Sequence, residues 1–349
     1  MLIARAPLRI SFAGGGTDLP AYYEQFGGAV VSTTIDKYVY VHVSPNGLGD
    51  AQISSADYHS FFRHHCGTPM SWDGDLSLPR AVLHEFGVER GVSIFVASEV
   101  PPGTGLGSSS AVAVALVKAV GTHLGRSQSP REVAEVACRI ELGKLKAPIG
   151  KQDQFAAAFG GLNAIMFERE GVLVQPLSLS ADLIECLERR LLLFFTRTAR
   201  DSADILREQQ RASSQGRPQT VDGLHRIKAA AMECRKCLEA GRLDDLGALL
   251  DAGWREKRRL VAGITNPWID EIYEKAIKSG AIGGKITGAG GGGFLLLYCH
   301  EKRQEALTEA LEKLGLRRMD FHFEKYGVAT VRADWRAGGD AVRFNTPLS

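Results

Sequence analysis

This 349-residue chain lacks any apolar stretch long enough to cross a membrane. A membrane span needs about 18–20 consecutive apolar residues, whereas runs such as Leu191–Phe195 and Phe294–Tyr298 have the length of buried strands. The opening residues lack the apolar core and cleavage pattern of a secretory signal. Basic and acidic residues nearly balance, 42 against 40, so the basic face of a nucleic-acid-binding protein is also missing. We therefore expect a cytoplasmic protein whose partners include neither a membrane nor a nucleic acid.

Cysteine is sparse, and its spacing does not define a metal site. The six cysteines are scattered, and Cys234 and Cys237 form a single CxxC with no second pair. We interpret all six as reduced thiols. The histidine-rich segment His59–Cys66 raises a metal cluster as an alternative. However, His64 and His65 are adjacent and point in different directions on any regular element, so we expect a solvated surface there.

The hydrophobic periodicity predicts a mixture of strands and helices, with one linker-like loop at residues 215–223. Predicted helices cover residues 77–88, 109–124, 129–143, 202–212, 222–240, 243–262, 267–279 and 301–314. Predicted strands cover the N-terminus and residues 29–45, 92–100, 164–168, 172–177, 189–196, 285–299 and 326–333.

Glycine, in contrast, is abundant, and its 39 residues concentrate in clusters that indicate sites. The cluster Gly103–Gly107 lies between a strand pattern and an apolar helical pattern, where backbone N–H groups and a helix N-terminus suit phosphate. It is not a Walker A loop, because Ser108 follows Gly107 where that motif requires lysine. The cluster Gly288–Gly293 matches GxGxxG but opens into a strand-like segment, which argues against a dinucleotide-binding fold.

Taken together, three glycine-containing stretches resemble the signature motifs of the GHMP kinases, the superfamily of galactokinase, homoserine kinase, mevalonate kinase and phosphomevalonate kinase. They are Ala6–Asp18 (APLRISFAGGGTD), Pro101–Ala111 (PPGTGLGSSSA) and Lys285–Phe294 (KITGAGGGGF), and the resemblance covers about residues 2–332. The first stretch and Gly150–Gly161 (GKQDQFAAAFGG) look most like those of the D-glycero-D-manno-heptose 7-phosphate kinases. The kinase half of bacterial fucokinase/fucose-1-phosphate guanylyltransferase enzymes looks similar.

The resemblance implies an α+β, two-domain GHMP kinase fold with the active site between the domains. The N-terminal domain, residues 1–187, would resemble the second domain of ribosomal protein S5 and would bind ATP and the sugar. The C-terminal domain, residues 188–349, would be ferredoxin-like.

The resemblance also implies catalytic and metal-binding roles. Asp153 matches the catalytic base of galactokinase-like members, and Arg9 matches the arginine that faces it. Glu141 aligns with the carboxylate that binds Mg²⁺, and Ser109 aligns with its hydroxyl partner. Oxygen ligands of this kind suit Mg²⁺. From the residues alone, a helix N-cap or solvated role for Asp153, a strand-end role for Arg9 and a solvated role for Glu141 remain open.

Further residues are implied to bind the two substrates, ATP and a sugar phosphate. Expected ATP contacts are Pro101, Gly103, Thr104, Gly105, Leu106, Gly107, Ser108, Ser109 and Ser110. Expected sugar contacts are Gly14, Gly15, Gly16, Thr17, Asp18, Lys151, Arg197, Gly290 and Gly291. A phosphate on the sugar needs a cation, and the sequence does not rank the candidates Lys151, Arg197, Arg200 and Lys257.

The expected function is ATP-dependent phosphorylation of the anomeric C1 hydroxyl of D-glycero-D-manno-heptose 7-phosphate to the 1,7-bisphosphate. This reaction would supply nucleotide-activated heptose for surface polysaccharide synthesis. One alternative is a kinase of an unphosphorylated sugar such as L-fucose, and another is a non-catalytic sugar and ATP sensor. Retention of the implied base and metal residues argues against the sensor. We expect ATP and Mg²⁺ as cofactors and a monomer or small homo-oligomer.

Overall fold

The computed structural model describes residues 1–57, 59–65, 67–198, 203–333 and 342–343, which form two β-sheets with surrounding helices. The first part of the chain comprises β1 (Leu2–Ala13), α1 (Pro20–Phe26), β2 (Gly28–Pro45), β3 (Asp50–Ser55), β4 (Ser60–His65), α2 (Ser77–Phe86), β5 (Val92–Ser98), α3 (Ser108–His123), α4 (Pro130–Cys138), α5 (Gln152–Phe159), β6 (Leu162–Phe167), β7 (Val172–Pro176) and α6 (Ala181–Arg189). The second part comprises β8 (Leu191–Phe195), α7 (Ala203–Ser214), α8 (Pro218–Glu239), α9 (Leu243–Lys257), α10 (Pro267–Lys278), β9 (Ala281–Ile286), β10 (Phe294–Cys299), α11 (Glu301–Glu312), β11 (Arg317–Arg318), β12 (Phe323–Glu324), β13 (Ala329–Ala333) and β14 (Val342–Arg343).

The first sheet is built on the long antiparallel pair of β1 and β2. Its main path runs β14-β13-β1-β2-β5-β3-β4, with β6, β7 and β12 attached through β2. The register of β1 against β2 shifts between Pro7 and Leu8. Proline cannot donate to a ladder, which suits an irregularity at this point. The strands β3 and β5 are parallel, and α2 provides the crossover between them.

Helix α3 is the central helix of the first layer and is buried on nearly every face. Its alanine and valine side chains pack against β1 and β2. A helix that is apolar all round belongs in a core. The next helix, α4, begins with a capping box between Ser129 and Glu132 and then widens into a π-helical turn at Arg139–Lys144. Such turns are frequent at functional sites.

The second sheet has four antiparallel strands in the order β11-β8-β10-β9. The strands follow one another in the chain as β8, β9, β10 and β11, with helices after β8 and after β10. This is the βαββαβ arrangement of a ferredoxin-like domain, so the expected fold of the C-terminal part is confirmed. No helix in the part of the chain that the structure describes is long and apolar enough to span a membrane.

After β11 the chain returns to the first sheet, where β12 pairs with β2 and β13 pairs with β1. The returning segment also contacts the end of α5, because Val328 N–H donates to Ala157 O at 3.0 Å and Gly161 N–H donates to Glu324 O at 3.1 Å. The expected C-terminal domain of residues 188–349 therefore includes strands that belong to the first sheet.

Two local expectations from the sequence are wrong. The linker-like segment 215–223 is helical from Pro218, since proline is well suited to the first turn of a helix. His64 is not solvated but is 5% exposed, because its side chain lies on the buried face of β4. The sequence analysis also missed α1, β3, β4, α5, α6 and the short strands β11, β12 and β14. Cys66 lies outside the described residues.

A glycine substitution tests the contact of the returning segment with α5. A Cβ at Gly160 would lie 2.1 Å from the backbone N of Gly327, whereas a Cβ at Gly125 would meet nothing within 4 Å. Both residues have positive φ, 71° and 75°. Gly125→Ala should therefore lower the free energy of unfolding by about 1–2 kcal/mol. Gly160→Ala should cost a further ~1–3 kcal/mol from overpacking. Equal losses in denaturant unfolding would contradict this contact.

Candidate active site

The candidate site is centred on a buried ion pair between β1 and the start of α5. Arg9 Nε donates to Asp153 Oδ1 at 2.8 Å, and Arg9 Nη2 donates to Asp153 Oδ2 at 2.9 Å. The Arg9 side chain is 4% exposed, whereas that of Asp153 is 23% exposed and faces the cleft. The two residues are 144 positions apart, so only the fold brings them together.

The same guanidinium fixes the glycine-rich loop before α3. Arg9 Nη1 donates to Gly105 O at 2.6 Å, and the Arg9 backbone N–H donates to Leu106 O at 3.0 Å. Gly107 has φ +78°, and a Cβ there would lie 3.2 Å from Cγ and Oδ2 of Asp153. Glycine at this position therefore lets the loop approach the carboxylate directly.

The N-terminus of α3 points into the cleft without a charged neighbour on its own first turn. The helix begins at Ser108 and has no acidic residue in that turn. The first amides of a helix have no partner within it, and they carry its partial positive charge. Ser109 is exposed, while Ser108 and Ser110 are buried. This end of α3 can therefore bind an anion.

The third glycine cluster packs directly on this loop. A Cβ at Gly105 would lie 2.5 Å from Thr287 O, and one at Gly293 would lie 2.2 Å from Thr104 O. The Phe294 N–H also donates to Thr104 O at 3.2 Å. Glycine is required on both sides of this contact because the two backbones touch. The loop after β9 thus supports the loop before α3.

Glu141, in the π-helical turn, forms a buried polar cluster with α3 and α5. Its carboxylate accepts from Gln154 Nε2 at 2.7 Å, from Ser110 Oγ at 3.2 Å and from Ser109 Oγ at 3.5 Å. Burial raises the pKa of Glu141 to about 7. One carboxylate with adjacent hydroxyls is a donor set that fits Mg²⁺, which keeps several waters or phosphate oxygens. No cluster of three or more acidic, histidine or cysteine ligands occurs among the described residues.

Asp18 lines the same cleft as Arg9 and Asp153 and is 2% exposed. It accepts hydrogen bonds from Gly16 N–H at 2.9 Å, from Gln152 N–H at 3.2 Å and from Gln152 Nε2 at 3.2 Å. Burial, and then the charge of Asp153, raise the pKa of Asp18. Much of its acceptor capacity is thus used within the protein.

Two buried lysines lie near the Arg9–Asp153 pair. Lys257, at the end of α9, lines the cleft and donates to Gly288 O, and burial lowers its pKa to about 8. Lys285, in β9, donates to Phe12 O at 3.3 Å, and burial lowers its pKa well below the usual value. Of these two lysines, Lys257 is the one that lines the cleft.

Two cavities meet at the start of α3. One contains Arg9, Asp18, Asp153 and Lys257 together with the two glycine loops. The other, of about 350 Å³, lies between β3, β5, α2 and the π-helical turn. Ser108 and Ser109 line both cavities, and Glu141 lines the second. A ligand of two parts can therefore extend from one cavity to the other across the helix N-terminus.

Several residues singled out from the sequence do line these cavities. They are Arg9, Gly16, Asp18, Gly103, Gly105, Gly107, Ser108, Ser109, Ser110, Glu141, Asp153, Lys257 and Gly290. Others lie behind the loops: Gly14 and Gly15 border a small apolar pocket, and Thr17 Oγ1 donates to Gly14 O at 2.8 Å. Thr104 and Leu106 are fully buried, and Gly291 N–H donates to Ile264 O at 2.8 Å. Pro101 accepts from Thr104 Oγ1 at 2.9 Å through its carbonyl.

The candidate phosphate-binding cations are not gathered in the cleft. Lys151 Nζ lies 4.9 Å from the centre of the Tyr23 ring, and the Arg197 guanidinium lies against Gly315. Neither side chain lines the two cavities just described. Arg200 lies outside the described residues. Of these four candidates, Lys257 alone is placed in the cleft by the described part of the chain.

Three glutamines of the site were not found from the sequence. Gln154 holds Glu141, Gln152 contacts Asp18, and Gln209 reaches the cleft from α7. Gln152 and Gln154 flank Asp153 in the GKQDQF stretch, a signal that could have been used. No such signal marks Gln209, because it lies outside these motifs in a polar helical segment.

Two models of one protein family match parts of the chain. Residues 77–161 match the family described as GHMP kinases N terminal domain, and residues 234–316 match GHMP kinases C terminal. The chain is 31% identical over 334 residues to a D-glycero-alpha-D-manno-heptose 7-phosphate kinase of Campylobacter jejuni, covering 94% of this chain and 98% of the relative.

Two further relatives bear on the acceptor. An L-fucokinase/L-fucose-1-P guanylyltransferase of Bacteroides fragilis is 26% identical, covering 85% of this chain but 34% of that protein. The crystal structure of a D-glycero-D-manno-heptose 1-phosphate kinase from Bacteriodes thetaiotaomicron superposes with a TM-score of 0.80 at 28% identity. That superposition covers 96% of this chain and 100% of the other.

Proposed function

Since this chain belongs to the GHMP kinase family and is therefore a phosphotransferase, we propose that it phosphorylates the C1 hydroxyl of D-glycero-D-manno-heptose 7-phosphate with ATP. The product is the 1,7-bisphosphate, which serves the synthesis of nucleotide-activated heptose for a surface polysaccharide. The observation that carries the proposal is the near full-length similarity to a kinase named for heptose 7-phosphate. The structural relative is named for heptose 1-phosphate instead, so the carbon that receives the phosphate is the point to measure.

We place the ATP triphosphate along the loop Pro101–Gly107 and the nucleoside in the 350 Å³ cavity beside it. The volume lies in the range of small-molecule sites. The free amides at the start of α3 then face the phosphates, and Gly103, Gly105 and Gly107 allow the backbone to come close. In this proposed placement the γ-phosphate lies at Ser108 and Ser109, where the two cavities meet, and faces Asp153 in the first cavity.

Glu141 and Ser109 would hold Mg²⁺, which neutralises charge on the β- and γ-phosphates when bound. The adjacent Ser110 hydroxyl and Gln154 amide hold the Glu141 carboxylate in place. Because the carboxylate is buried, a cation beside it favours its ionised form.

Asp153 is the proposed base of the transfer. The sugar O1 attacks the γ-phosphorus, the bond from that phosphorus to the β–γ bridging oxygen breaks, and ADP leaves. The proton of O1 passes to the Asp153 carboxylate. Arg9 holds both carboxylate oxygens, so the orientation of Asp153 is fixed before the substrates bind. Lys257 lines the same cavity as Arg9 and Asp153. Its ammonium group is therefore better placed to bind the phosphoryl group being transferred than a phosphate at the far end of the sugar.

The second candidate is phosphorylation of a free sugar such as L-fucose, which the similarity to the Bacteroides fragilis enzyme favours. Of the cations expected to hold a sugar phosphate, only Lys257 reaches the described part of the cleft. A non-catalytic sensor is disfavoured, because a sensor needs no arginine-held carboxylate beside a phosphate-binding loop.

Asp153→Asn removes the proposed base while preserving shape. We expect kcat to fall by ~10²–10⁴-fold, with little change in the KM for ATP. Asp50→Asn is the matched control, because Asp50 is also paired with an arginine, Arg63, but lies in β3 away from the cleft. Retention of more than about a tenth of the wild-type kcat by Asp153→Asn would exclude Asp153 as the base.

Glu141→Gln should raise the Mg²⁺ concentration needed for half-maximal rate, because a neutral amide is a poorer ligand for this ion. Glu135→Gln is the control, since Glu135 is on the preceding helix, is 52% exposed and pairs with Arg131. The measurement is a Mg²⁺ titration of the initial rate at fixed ATP. Superimposable titrations of Glu141→Gln and the wild type would remove Glu141 from the metal site.

The acceptor is tested by ADP release with heptose 7-phosphate, free heptose, L-fucose and galactose, with ³¹P NMR of each product. We expect the highest kcat/KM with heptose 7-phosphate and a new phosphate on C1. Loss of the remote phosphate should lower kcat as well as raise KM, since remote binding energy helps to orient the reacting group. A higher kcat/KM with a free sugar, or a phosphate on another carbon, would overturn the acceptor assignment.

A further inference from the structure

Two amide side chains, those of Gln152 and Gln209, line the cavity that contains Asp18, and each has one buried polar atom without a partner among the described residues. Gln209 of α7 is 1% exposed. Within the described part of the chain, its Nε2 has no hydrogen-bond partner, and neither has Oε1 of Gln152. Both residues line the cavity that contains Gly16 and Asp18. Buried polar groups are normally paired, so two unpaired atoms in one cavity need an explanation.

The orientation of Gln152 follows from its contact with Asp18. The Gln152 amide group faces Asp18 Oδ1 at 3.2 Å, and that carboxylate already accepts from two backbone N–H groups. Only the NH₂ side of an amide can donate to such an acceptor. The oxygen Oε1 is therefore the atom left over, and it offers an acceptor in the cleft.

Gln209 is held close to the loop that follows β1. A Cβ at Gly16 would lie 2.5 Å from Gln209 Nε2, so glycine at this position makes room for the amide. Gly16 also has φ +102°, a conformation that favours glycine. The cleft thus receives a donor from α7, in the C-terminal part of the chain, and an acceptor from α5, in the first part.

We propose that Gln209 is a specificity-determining residue for the acceptor. Its Nε2 donates to a hydroxyl oxygen of the acceptor, and Gln152 Oε1 accepts from an acceptor hydroxyl. This rests on the proposed function in that the acceptor is a polyhydroxylated sugar. A hydroxyl both donates and accepts, so a sugar satisfies both amides. A phosphate does not, because it cannot donate to Gln152 Oε1 when fully ionised and is repelled by the nearby Asp18 carboxylate.

A site built to hydrogen-bond a substrate hydroxyl rejects an analogue that lacks it, because the buried protein group is then left unpaired. Gln209 therefore selects among sugars by their hydroxyl pattern. In the unliganded protein its N–H is buried without a partner, which destabilises the folded chain. Removing that N–H should weaken acceptor binding without lowering thermal stability. A purely structural role predicts the opposite.

The test compares Gln209→Met with Gln210→Met in full-length protein. Methionine matches glutamine in length and in helix propensity, and Gln210 is the next residue of α7, half-buried and absent from the lining of this cavity. For Gln209→Met we expect the KM for heptose 7-phosphate to rise about tenfold, with the KM for ATP within about twofold and an unchanged or higher Tm. Gln210→Met should leave both KM values unchanged.

Monodeoxy analogues of heptose 7-phosphate locate the hydroxyl concerned. The analogue that lacks it should bind the wild type more weakly but should bind Gln209→Met no more weakly than the parent sugar does, as in a double-mutant cycle. An unchanged acceptor KM in Gln209→Met would overturn the inference. So would a parallel rise of both KM values with a fall in Tm, or an equal effect of Gln210→Met.

A wrong assignment of heptose 7-phosphate as the acceptor would be a separate result. It appears in the wild type, as turnover of L-fucose in preference to heptose 7-phosphate. In that case the same two variants are compared with L-fucose, and a selective rise of its KM in Gln209→Met still supports the role of Gln209. An unchanged KM for L-fucose would overturn that role.

Discussion

The whole cleft depends on the Arg9 guanidinium. Arg9 lies in β1. Its guanidinium donates to both carboxylate oxygens of Asp153, at the start of α5, and to the carbonyl oxygen of Gly105, in the loop before α3. A planar fork of fixed donors sets both distance and angle, which a lysine could not do. The Asp153 carboxylate and the glycine-rich loop before α3 are therefore oriented relative to each other before any substrate binds. Such preorganisation avoids the cost of rearranging polar groups during the reaction.

The cleft also buries more charge than a structural core would retain. Burial lowers the pKa of Lys257 to about 8 and raises that of Glu141 to about 7. In each case the charged form is disfavoured because water has been removed without a full set of counter-charges. The proposed nucleotide and Mg²⁺ would supply the opposite charges that these groups lack. Perturbed pKa values that gather in one cleft are typical of a site built for charged ligands.

The sequence predicts the parts of this site that lie within contiguous motifs. Asp153, Glu141 and Ser109 stand in short stretches that resemble GHMP kinase motifs, and the fold brings all three to the two adjoining cavities. The position of Lys151 in its motif does not predict where its side chain points, and that side chain packs over the Tyr23 ring. Gln209 is reached only through tertiary packing. The family and the two-domain α+β fold are confirmed, whereas the return of β12 and β13 to the first sheet depends on pairings across nearly the whole chain.

The residue proposed to select the acceptor and the residues proposed to act in phosphoryl transfer come from different elements of the fold. The groups proposed to act in phosphoryl transfer come from β1, α3, α5 and the π-helical turn, whereas Gln209 comes from α7. Helix α7 packs against α1, which follows directly after the Gly14–Asp18 loop. The α7–α1 contact thus places the Gln209 amide beside this loop without involving the Arg9–Asp153 pair. If Gln209 selects the acceptor as proposed, substitutions along α7 should change acceptor choice with less effect on that pair, because hydrogen bonds among β1, α5 and the loop before α3 hold Arg9 and Asp153.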